Sequence, residues 1–193
     1  MIKKQNYLKH AIVLFLLLLL MQPERAWAAY ENIEFSSLTN HDGLTNSQVG
    51  AILKDTRGYI WFGTQSGLCR FDGFRMKTFY YSNTDDKSLP NNSVDELQQD
   101  YDGNIWVHTS VGYSIYKYDE EQFDRKPEEL LKDIHVQGPP YKLLIDKDKN
   151  MWIAVYGQGL YYHNAKTRNT YLFKFTKKAQ PGCLKEGNIS KIT

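Results

Sequence analysis

The sequence of 193 residues is poor in the residue types that build disulfides and metal sites. Its two cysteines, Cys69 and Cys183, stand in non-equivalent places of the repeat described below. Two such cysteines make no disulfide framework, so we interpret both as packing residues, with Cys69 on a buried strand. The five histidines show no metal-ligand spacing. We therefore predict no metal and no cofactor.

The sequence also lacks the patterns typical of many enzymes and of nucleic-acid-binding proteins. It has no nucleophile–base motif, no close pair of carboxylates for glycoside hydrolysis and no glycine-rich phosphate loop. The formal net charge is only +2, without the clustered basic face that nucleic acid requires. We predict no catalytic residues, no enzyme activity for this chain and no nucleic acid as a partner.

One long hydrophobic run is present, and it lies at the amino terminus. Basic residues at positions 3, 4 and 9 precede an apolar run over residues 11–21, and Ala26-Trp27-Ala28 places small residues before a cut. This layout is typical of a secretory signal peptide, and the run is short for a membrane span. We predict that residues 1–28 are a signal peptide and that residues 29–193 form one exported unit of nearly neutral charge.

A repeat dominates the exported part of the sequence. Trp61, Trp106 and Trp152 stand 45 and 46 residues apart, each inside a β-branched and aromatic run that follows an Asp-containing turn. A period of about 40–50 residues rich in strand signals indicates propeller blades or a similar array. The predicted fold is all-β: a partial β-propeller of three four-stranded antiparallel blades. The blades are predicted at about residues 46–81, 91–124 and 141–175.

Residues 188–193 resemble the opening of the second repeat and are predicted to be the first strand of a fourth blade. Since known propellers close with about four to eight blades, we expect residues 29–193 to be an incomplete ring. Its unpaired edges would favour association and poor solubility.

Local signals divide each repeat further. Asp55 and Gly58 suit the first and last positions of a type I turn, and Pro127 followed by two glutamates favours one short helical turn. In the third repeat Lys149-Asn150 replaces the turn glycine, and we expect the asparagine to take the positive φ.

Repetition favours a structural interpretation of the motif residues. We expect the tryptophans to pack in the core instead of stacking on sugars, and the aspartates to cap turns instead of acting as catalytic or calcium-binding groups. The structural motif residues are Asp55, Gly58, Trp61, Asp100, Gly103, Trp106, Asp146 and Trp152.

The pattern D-x-x-G-x-I-W, followed by Thr and then G-L or G-Y, resembles the two-component regulator propeller repeat. The matching residues are Asp55, Gly58, Ile60, Trp61, Gly63, Thr64, Gly67, Leu68 and Asp72 in the first repeat, and Asp100, Gly103, Ile105, Trp106, Thr109, Gly112 and a displaced Asp119 in the second. The third repeat departs from it, with Val155 where threonine is expected. The resemblance covers about residues 33–193.

The resemblance implies the amino-terminal periplasmic region of a Bacteroidetes hybrid two-component sensor histidine kinase. It implies a place on the periplasmic side of the inner membrane, an oligosaccharide signal and a role in regulating polysaccharide use. It also implies partners: the remaining blades, downstream signalling domains and a second copy in a homodimer. No kinase motif stands in this sequence.

Ligand contacts are expected on the loops between second and third strands and between blades, which emerge on one face of a propeller. Tyr, Asn and Gln suit an oligosaccharide, which needs an aromatic face and several hydrogen bonds. The candidate ligand-binding residues are Gln65, Ser66, Asn91, Asn92, Ser110, Tyr156 and Gln158. Ordinary solvated turns are the competing interpretation of the same residues.

Two other functions remain open at this point. One is an exported propeller enzyme, a lyase or hydrolase acting on polysaccharide, since such enzymes assemble their sites from distant blades. The other is a non-functional remnant of a truncated sensor gene. Extending the reading frame beyond Thr193 would separate these alternatives from the sensor.

Overall fold

Three antiparallel sheets follow one another along the chain. The computed structural model describes residues 36–176 and 184–185, and these from Leu38 onward belong to one compact unit. The predicted signal peptide at 1–28, the predicted strand at 188–193 and Cys183 lie outside the described residues.

Each sheet contains a four-stranded antiparallel meander in which consecutive strands are neighbours. Blade 1 contains β1 (Val49–Lys54), β2 (Ile60–Thr64), β3 (Gly67–Phe71) and β4 (Met76–Phe79). Blade 2 contains β5 (Val94–Gln99), β6 (Ile105–Thr109), β7 (Gly112–Lys117) and β8 (Gln122–Asp124). Blade 3 contains β9 (Pro140–Ile145), β10 (Met151–Val155), β11 (Gly159–His163) and β12 (Thr170–Thr176). The predicted partial β-propeller of four-stranded blades is confirmed.

Blade 3 carries one strand more than the repeat predicts. The short β13 (Leu184–Lys185) pairs in parallel with β12, through Phe175 opposite Leu184. A two-residue strand has no periodicity that sequence could show. The edge of β12 presents unpaired backbone groups, and β13 satisfies part of them.

Two short helical segments lie between these strands. A 3-10 turn at Asn40–Asp42 precedes blade 1 and is capped by Thr39, whose side chain accepts from the backbone of His41. Helix α1 (Pro127–Asp133) follows β8, begins with its proline in the first turn and buries Leu131 beside blade 3. The acidic first turn, Glu128 and Glu129, suits the positive end of the helix dipole.

The first turn of every blade is built on an aspartate. In blade 1 the Gly58 amide donates to the Asp55 carbonyl at 3.1 Å, and Gly58 has φ +92°. In blade 3 the positive φ falls on Lys149 (+66°) and not on Asn150, so the expectation for the asparagine is wrong. Asn150 is needed elsewhere: its Nδ2 donates to Asp146 at 3.0 Å, as the blade 2 equivalent Asn104 does to Asp100.

The hydrophobic core lies between neighbouring blades. Trp61 is fully buried where blade 1 meets blade 2, edge-on to Tyr116 at 5.0 Å. Trp106 is 1% exposed where blade 2 meets blade 3, in a cluster with Leu143 and Ile153. Blades of this kind bury their faces against each other, so the repeat itself generates the core.

Trp152 occupies the equivalent place in blade 3 but is only partly buried. It contacts Tyr162 at 4.5 Å and Phe173 at 6.5 Å, both on the same sheet, and Tyr171 beyond them is 53% exposed. Within residues 36–176 and 184–185, no further sheet covers this aromatic face.

Candidate functional site

The innermost strand of each blade is irregular immediately after its first residue. Strand pairing skips one residue there in all three blades, because two residues of the inner strand oppose one residue of the next strand. The extra residues of these β-bulges are Gly50, Asp95 and Tyr141. Bulges re-aim side chains and are frequent beside functional sites. All three lie at the end of the sheet where the second strand turns into the third, which we call the upper rim.

In blade 1 the upper rim is made of small residues. A Cβ atom on Gly63 would lie 2.6 Å from Val94 Cγ1, and one on Gly50 would lie 3.3 Å from the Val94 carbonyl oxygen. Only glycine allows this approach of β1 and β2 to the start of β5. Blades 1 and 2 are therefore closed tightly at this end.

Blade 2 places polar side chains at the same positions. Glu96, His108 and Tyr113 are the register equivalents of Ala51, Gly63 and Leu68. The Tyr113 hydroxyl donates to Glu96 Oε2 at 3.0 Å and accepts from the Leu143 amide of blade 3 at 2.9 Å. Burial, with the charge of Glu96 second, raises the pKa of Tyr113, so its hydroxyl remains a donor.

Charged groups complete this cluster. Lys142 at the start of β9 donates to Glu96 Oε1 across the junction of blades 2 and 3. The bulge residue Asp95 pairs through Oδ1 with His108 Nδ1 at 2.6 Å. The ring of His108 lies 4.4 Å from that of Tyr113. We call Asp95, Glu96, His108, Tyr113 and Lys142 the rim cluster.

A cavity of about 290 Å³ opens beside the rim cluster along the inner strands of all three blades. Glu96 and Lys142 supply its charged wall, and the other lining residues are Ala51, Ile52, Leu97, Gln98, Leu143 and Leu144. Gln98 bridges blades here: its Nε2 donates to the Leu143 carbonyl at 2.8 Å, and its Oε1 accepts from the Ile145 amide at 2.6 Å. The inner strands therefore form a continuous, mainly apolar wall with one ion pair.

Four of the predicted ligand-binding residues are engaged in the connection between blades 1 and 2. Gln65 accepts from the Ser93 hydroxyl at 2.9 Å, and Ser66 accepts from Asn46 Nδ2 at 3.0 Å. Asn91 accepts from the Ser93 amide at 2.8 Å, and Asn92 from the Tyr81 amide at 2.7 Å. Their side-chain hydrogen bonds fix the turn and the crossover.

The remaining three predicted residues lie in separate places. Ser110 is exposed in the β6–β7 turn. Tyr156 is 66% exposed and stacks on Tyr141 at 4.1 Å between ring centroids, on the upper rim of blade 3. Gln158 lines a different cavity, of about 330 Å³, with residues that include His135 and Lys174. Ser110 and Tyr156 thus each directly follow the second strand of a blade that contributes to the rim cluster.

Sequence reasoning missed the rim cluster. The signal was available: positions 95, 96, 108 and 113 carry polar or charged residues where the first repeat has Gly50, Ala51, Gly63 and Leu68. A repeat motif is defined by the residues that the repeats share, so the positions at which one repeat differs from the others are not part of it.

The motif aspartates hold the turns and the tryptophans. Asp55 is 5% exposed and accepts from the amides of Arg57 (2.9 Å) and Tyr59 (3.0 Å), from Trp61 Nε1 (2.7 Å) and from the Tyr118 hydroxyl. Asp100 likewise accepts from Trp106 Nε1 at 2.9 Å. For Asp146, burial opposes ionisation, but hydrogen bonds led by those from Asn150 outweigh it and lower the pKa.

A cavity of about 440 Å³ lies at the outer strand of blade 2. Charges of both signs line it, including Asp86 and Lys87 of the loop before β5 and Asp124 and Arg125 at the end of β8. Arg125 is occupied by carbonyl oxygens of that loop, such as Ser88 O at 3.0 Å. Among the described residues, no three His, Cys, Asp or Glu side chains are grouped to hold a metal ion.

Comparison with known proteins identifies the repeat. The family model described as "two component regulator propeller" matches residues 43–66, which contain β1 and β2, and residues 88–110, which contain β5 and β6. A histidine kinase P4 of Formosa agariphila is 41% identical over 61 residues, which is 32% of this chain and 4% of that protein.

One solved structure shows the same fold. The extracellular domain of a hybrid two component system from B. thetaiotaomicron superimposes on 72% of this chain with a TM-score of 0.51 and 24% identity. A second such domain from that organism covers 72% of the chain with a TM-score of 0.41 and 17% identity. This chain spans only 20% and 27% of their lengths. In the described part of the chain, no helix has the length and apolar character to cross a membrane.

Proposed function

This chain carries the repeat of the two-component regulator propeller family in blades 1 and 2, and on that premise we propose that it is part of a sensor. In this proposal residues 29–193 belong to the periplasmic sensing propeller of a hybrid two-component signalling protein. Its signal is an oligosaccharide, and its output regulates polysaccharide use. The observation that supports the proposal is the match of the repeat together with the Asp–Trp turn geometry that both matched copies share.

The proposal extends to the rest of the protein. Residues 1–28 serve as the signal peptide, and residues 188–193 begin a fourth blade that covers the aromatic face around Trp152. Further blades, downstream signalling domains and a second copy of the sensor are the partners. The partly exposed Trp152 and exposed Tyr171 support a following blade, because the equivalent Trp61 and Trp106 are both buried by the next sheet.

A genetic experiment tests the sensor role. The segment that encodes residues 46–175 is deleted in frame from the chromosomal locus, and transcripts are profiled during growth on single purified polysaccharides. We expect induction of one set of polysaccharide-use genes to be lost and induction of the others to persist. Unchanged induction on every polysaccharide would contradict the proposal. No observation in the described residues favours the enzyme alternative.

A further inference from the structure

We propose that the upper rim between blades 2 and 3 is a binding site for one neutral, hydroxyl-rich sugar unit, contacted by Asp95, His108 and Tyr156. The inference deepens the proposed sensor function and depends on it for the class of ligand.

The fold of a blade does not need polar residues at these rim positions. Blade 1 builds the same rim from Gly50, Ala51, Gly63 and Leu68, with the same register and the same bulge. Charged groups inserted at a blade junction carry a desolvation cost that apolar residues avoid. Glu96, Tyr113 and Lys142 offset that cost by bonding to one another. These three side chains form a hydrogen-bonded group that fixes the neighbouring Asp95 and His108 in position.

Two polar atoms beside Glu96, Tyr113 and Lys142 have no hydrogen-bond partner among the described residues. Asp95 has one carboxylate oxygen bonded to His108 Nδ1, and its side chain is 54% exposed. Its second oxygen and His108 Nε2 make no hydrogen bond within the described residues. A carboxylate that orients an imidazole leaves Nε2 presented to solvent, with both groups ready to bond hydroxyls. Asp95 is the extra residue of the β-bulge in β5, and the bulge sets the direction in which its side chain points.

An aromatic pair on the neighbouring blade offers a further contact surface. Tyr141, the bulge residue of blade 3, stacks on Tyr156 and supports its ring, while Tyr156 itself is 66% exposed. A rigid, exposed aromatic face suits the C–H face of a pyranose ring. Lys142, which follows Tyr141, bonds to Glu96, which follows Asp95, so the two bulges belong to one junction.

The charges of the rim cluster determine whether a neutral or an acidic sugar can bind. The rim cluster holds two carboxylates against one ammonium group, and Lys142 is already paired with Glu96. Within the described residues the carboxylate of Asp95 has no lysine or arginine partner to balance its charge, and its ion-pair contact is His108. A uronate or sulfate ester would meet that charge without a free cation to offset it.

Direct binding tests the inference. The full exported chain is titrated by calorimetry with maltohexaose, cellohexaose, xylohexaose, mannohexaose and laminarihexaose as neutral probes, and with hexagalacturonate as the acidic probe. We expect binding of at least one neutral probe and none of hexagalacturonate. Asp95→Ala and Tyr156→Ala should each weaken binding about tenfold, the effect of losing one charge-assisted hydrogen bond or one stacking contact. Asp133→Ala and Phe74→Ala, at exposed positions outside the site, should change it less than about twofold.

Folding and binding are separated by melting curves, which we expect to be unchanged by Asp95→Ala and Tyr156→Ala because neither side chain is buried. Neutral binding that both variants leave intact overturns this site but leaves the sensor proposal standing. Preferential binding of hexagalacturonate overturns the charge argument. Failure of all probes counts against the inference, and the transcript profile then decides separately whether the protein is a sensor.

Discussion

At the scale of single residues, the repeat is held by one carboxylate that serves several donors at once. Asp55 and Asp100 each accept from two backbone amides of their turn and from the indole Nε1 of the tryptophan six positions on. Both carboxylates are at most 5% exposed. Removing such a group leaves buried donors without partners, which costs more than the hydrogen bonds are worth in isolation.

Replacement of Asp55 by alanine tests this account. We expect Asp55→Ala to lower the free energy of unfolding by about 3 kcal/mol, because Trp61 Nε1 and two amides lose their acceptor. Urea unfolding followed by tryptophan fluorescence at low protein concentration measures it. Asp148→Ala is the matched control, since this exposed turn residue makes no side-chain hydrogen bond in the described structure and should cost less than about 0.5 kcal/mol. Equal losses in the two variants would refute the account.

His163 is a residue whose protonation the fold opposes. It is fully buried, and its Nδ1 lies 2.8 Å from Thr170 Oγ1. Because the Thr170 hydroxyl donates to the Ile134 carbonyl at 2.6 Å, Nδ1 must be the donor of the histidine–threonine bond. The ring is therefore the neutral Nδ1–H tautomer, with Nε2 buried and unpaired. Burial, followed by the nearby Arg168 guanidinium, lowers the pKa of His163, and Asp102 opposes this shift.

A pH dependence of stability follows from that shift. The unfolded chain binds a proton at His163 at about pH 6.5, above the folded pKa, so stability is retained above this pH and lost as the pH falls below it. His163→Asn preserves a donor toward Thr170 and removes the titration. We expect the urea midpoint of the unmodified chain to fall more steeply between pH 7 and pH 5 than that of His163→Asn. Parallel pH profiles would show that His163 does not contribute.

At the scale of elements, the junction of blades 1 and 2 depends on the absence of a side chain. Gly63 in β2 faces Val94 at the start of β5, with no room for a methyl group between them. The junction of blades 2 and 3 is made differently, by the Gln98 amide that pairs with two backbone groups of β9. One repeat thus forms a dry, tight junction and the next a hydrogen-bonded one.

A double-mutant cycle tests the tight junction. Gly63→Ala should destabilise the chain by about 1–3 kcal/mol, since overpacking forces the strands apart. Val94→Ala removes the atom that clashes, so the double variant should be more stable than the sum of the single effects by about 1 kcal/mol. Unfolding free energies of the four proteins give the coupling. Strict additivity would mean that the two residues do not oppose each other.

The elements could be predicted from sequence where a local pattern specifies them. The Asp–Gly turns, the alternating strands and the Pro127 helix start all carry short-range signals, and the fold class followed from their repetition. The rim cluster could not be predicted in this way, because it forms between β5, β6, β7 and β9. Glu96 and Lys142 are 46 positions apart, and only the register of two blades brings them together. The positive φ of Lys149 was missed because asparagine was the better local candidate.

At the scale of the whole molecule, the three blades are unequal. Each of the first two blades has its tryptophan covered by the next blade, whereas the described chain offers no sheet to cover Trp152. The face around it combines Trp152 with Tyr162 and Tyr171 in one cross-strand row. The solvent exposure of this aromatic face therefore depends, more than any other feature of the molecule, on what packs against blade 3.

Fluorescence quenching measures the difference in solvent exposure between Trp152 and the two buried tryptophans. In residues 29–193, which contain three tryptophans, we expect acrylamide to quench one fraction of the emission readily and to leave the rest protected. Trp152→Phe should abolish the accessible fraction, because Trp61 and Trp106 are at most 1% exposed. Retention of the accessible fraction in this variant would assign it to another tryptophan and contradict the burial described above.

The β-bulge near the start of each inner strand separates the residues that shape the upper rim from the residues that stabilise the blade. Its extra residue has no partner in the strand ladder, whereas the aspartate and tryptophan that hold the blade lie at the opposite end of the same strands. Substitutions at position 95 or 141 can therefore alter the chemistry of the rim at little cost to folding. Every added blade would bring one more such position to the same edge, so a protein of this design can acquire new selectivity by point substitution while its architecture stays constant.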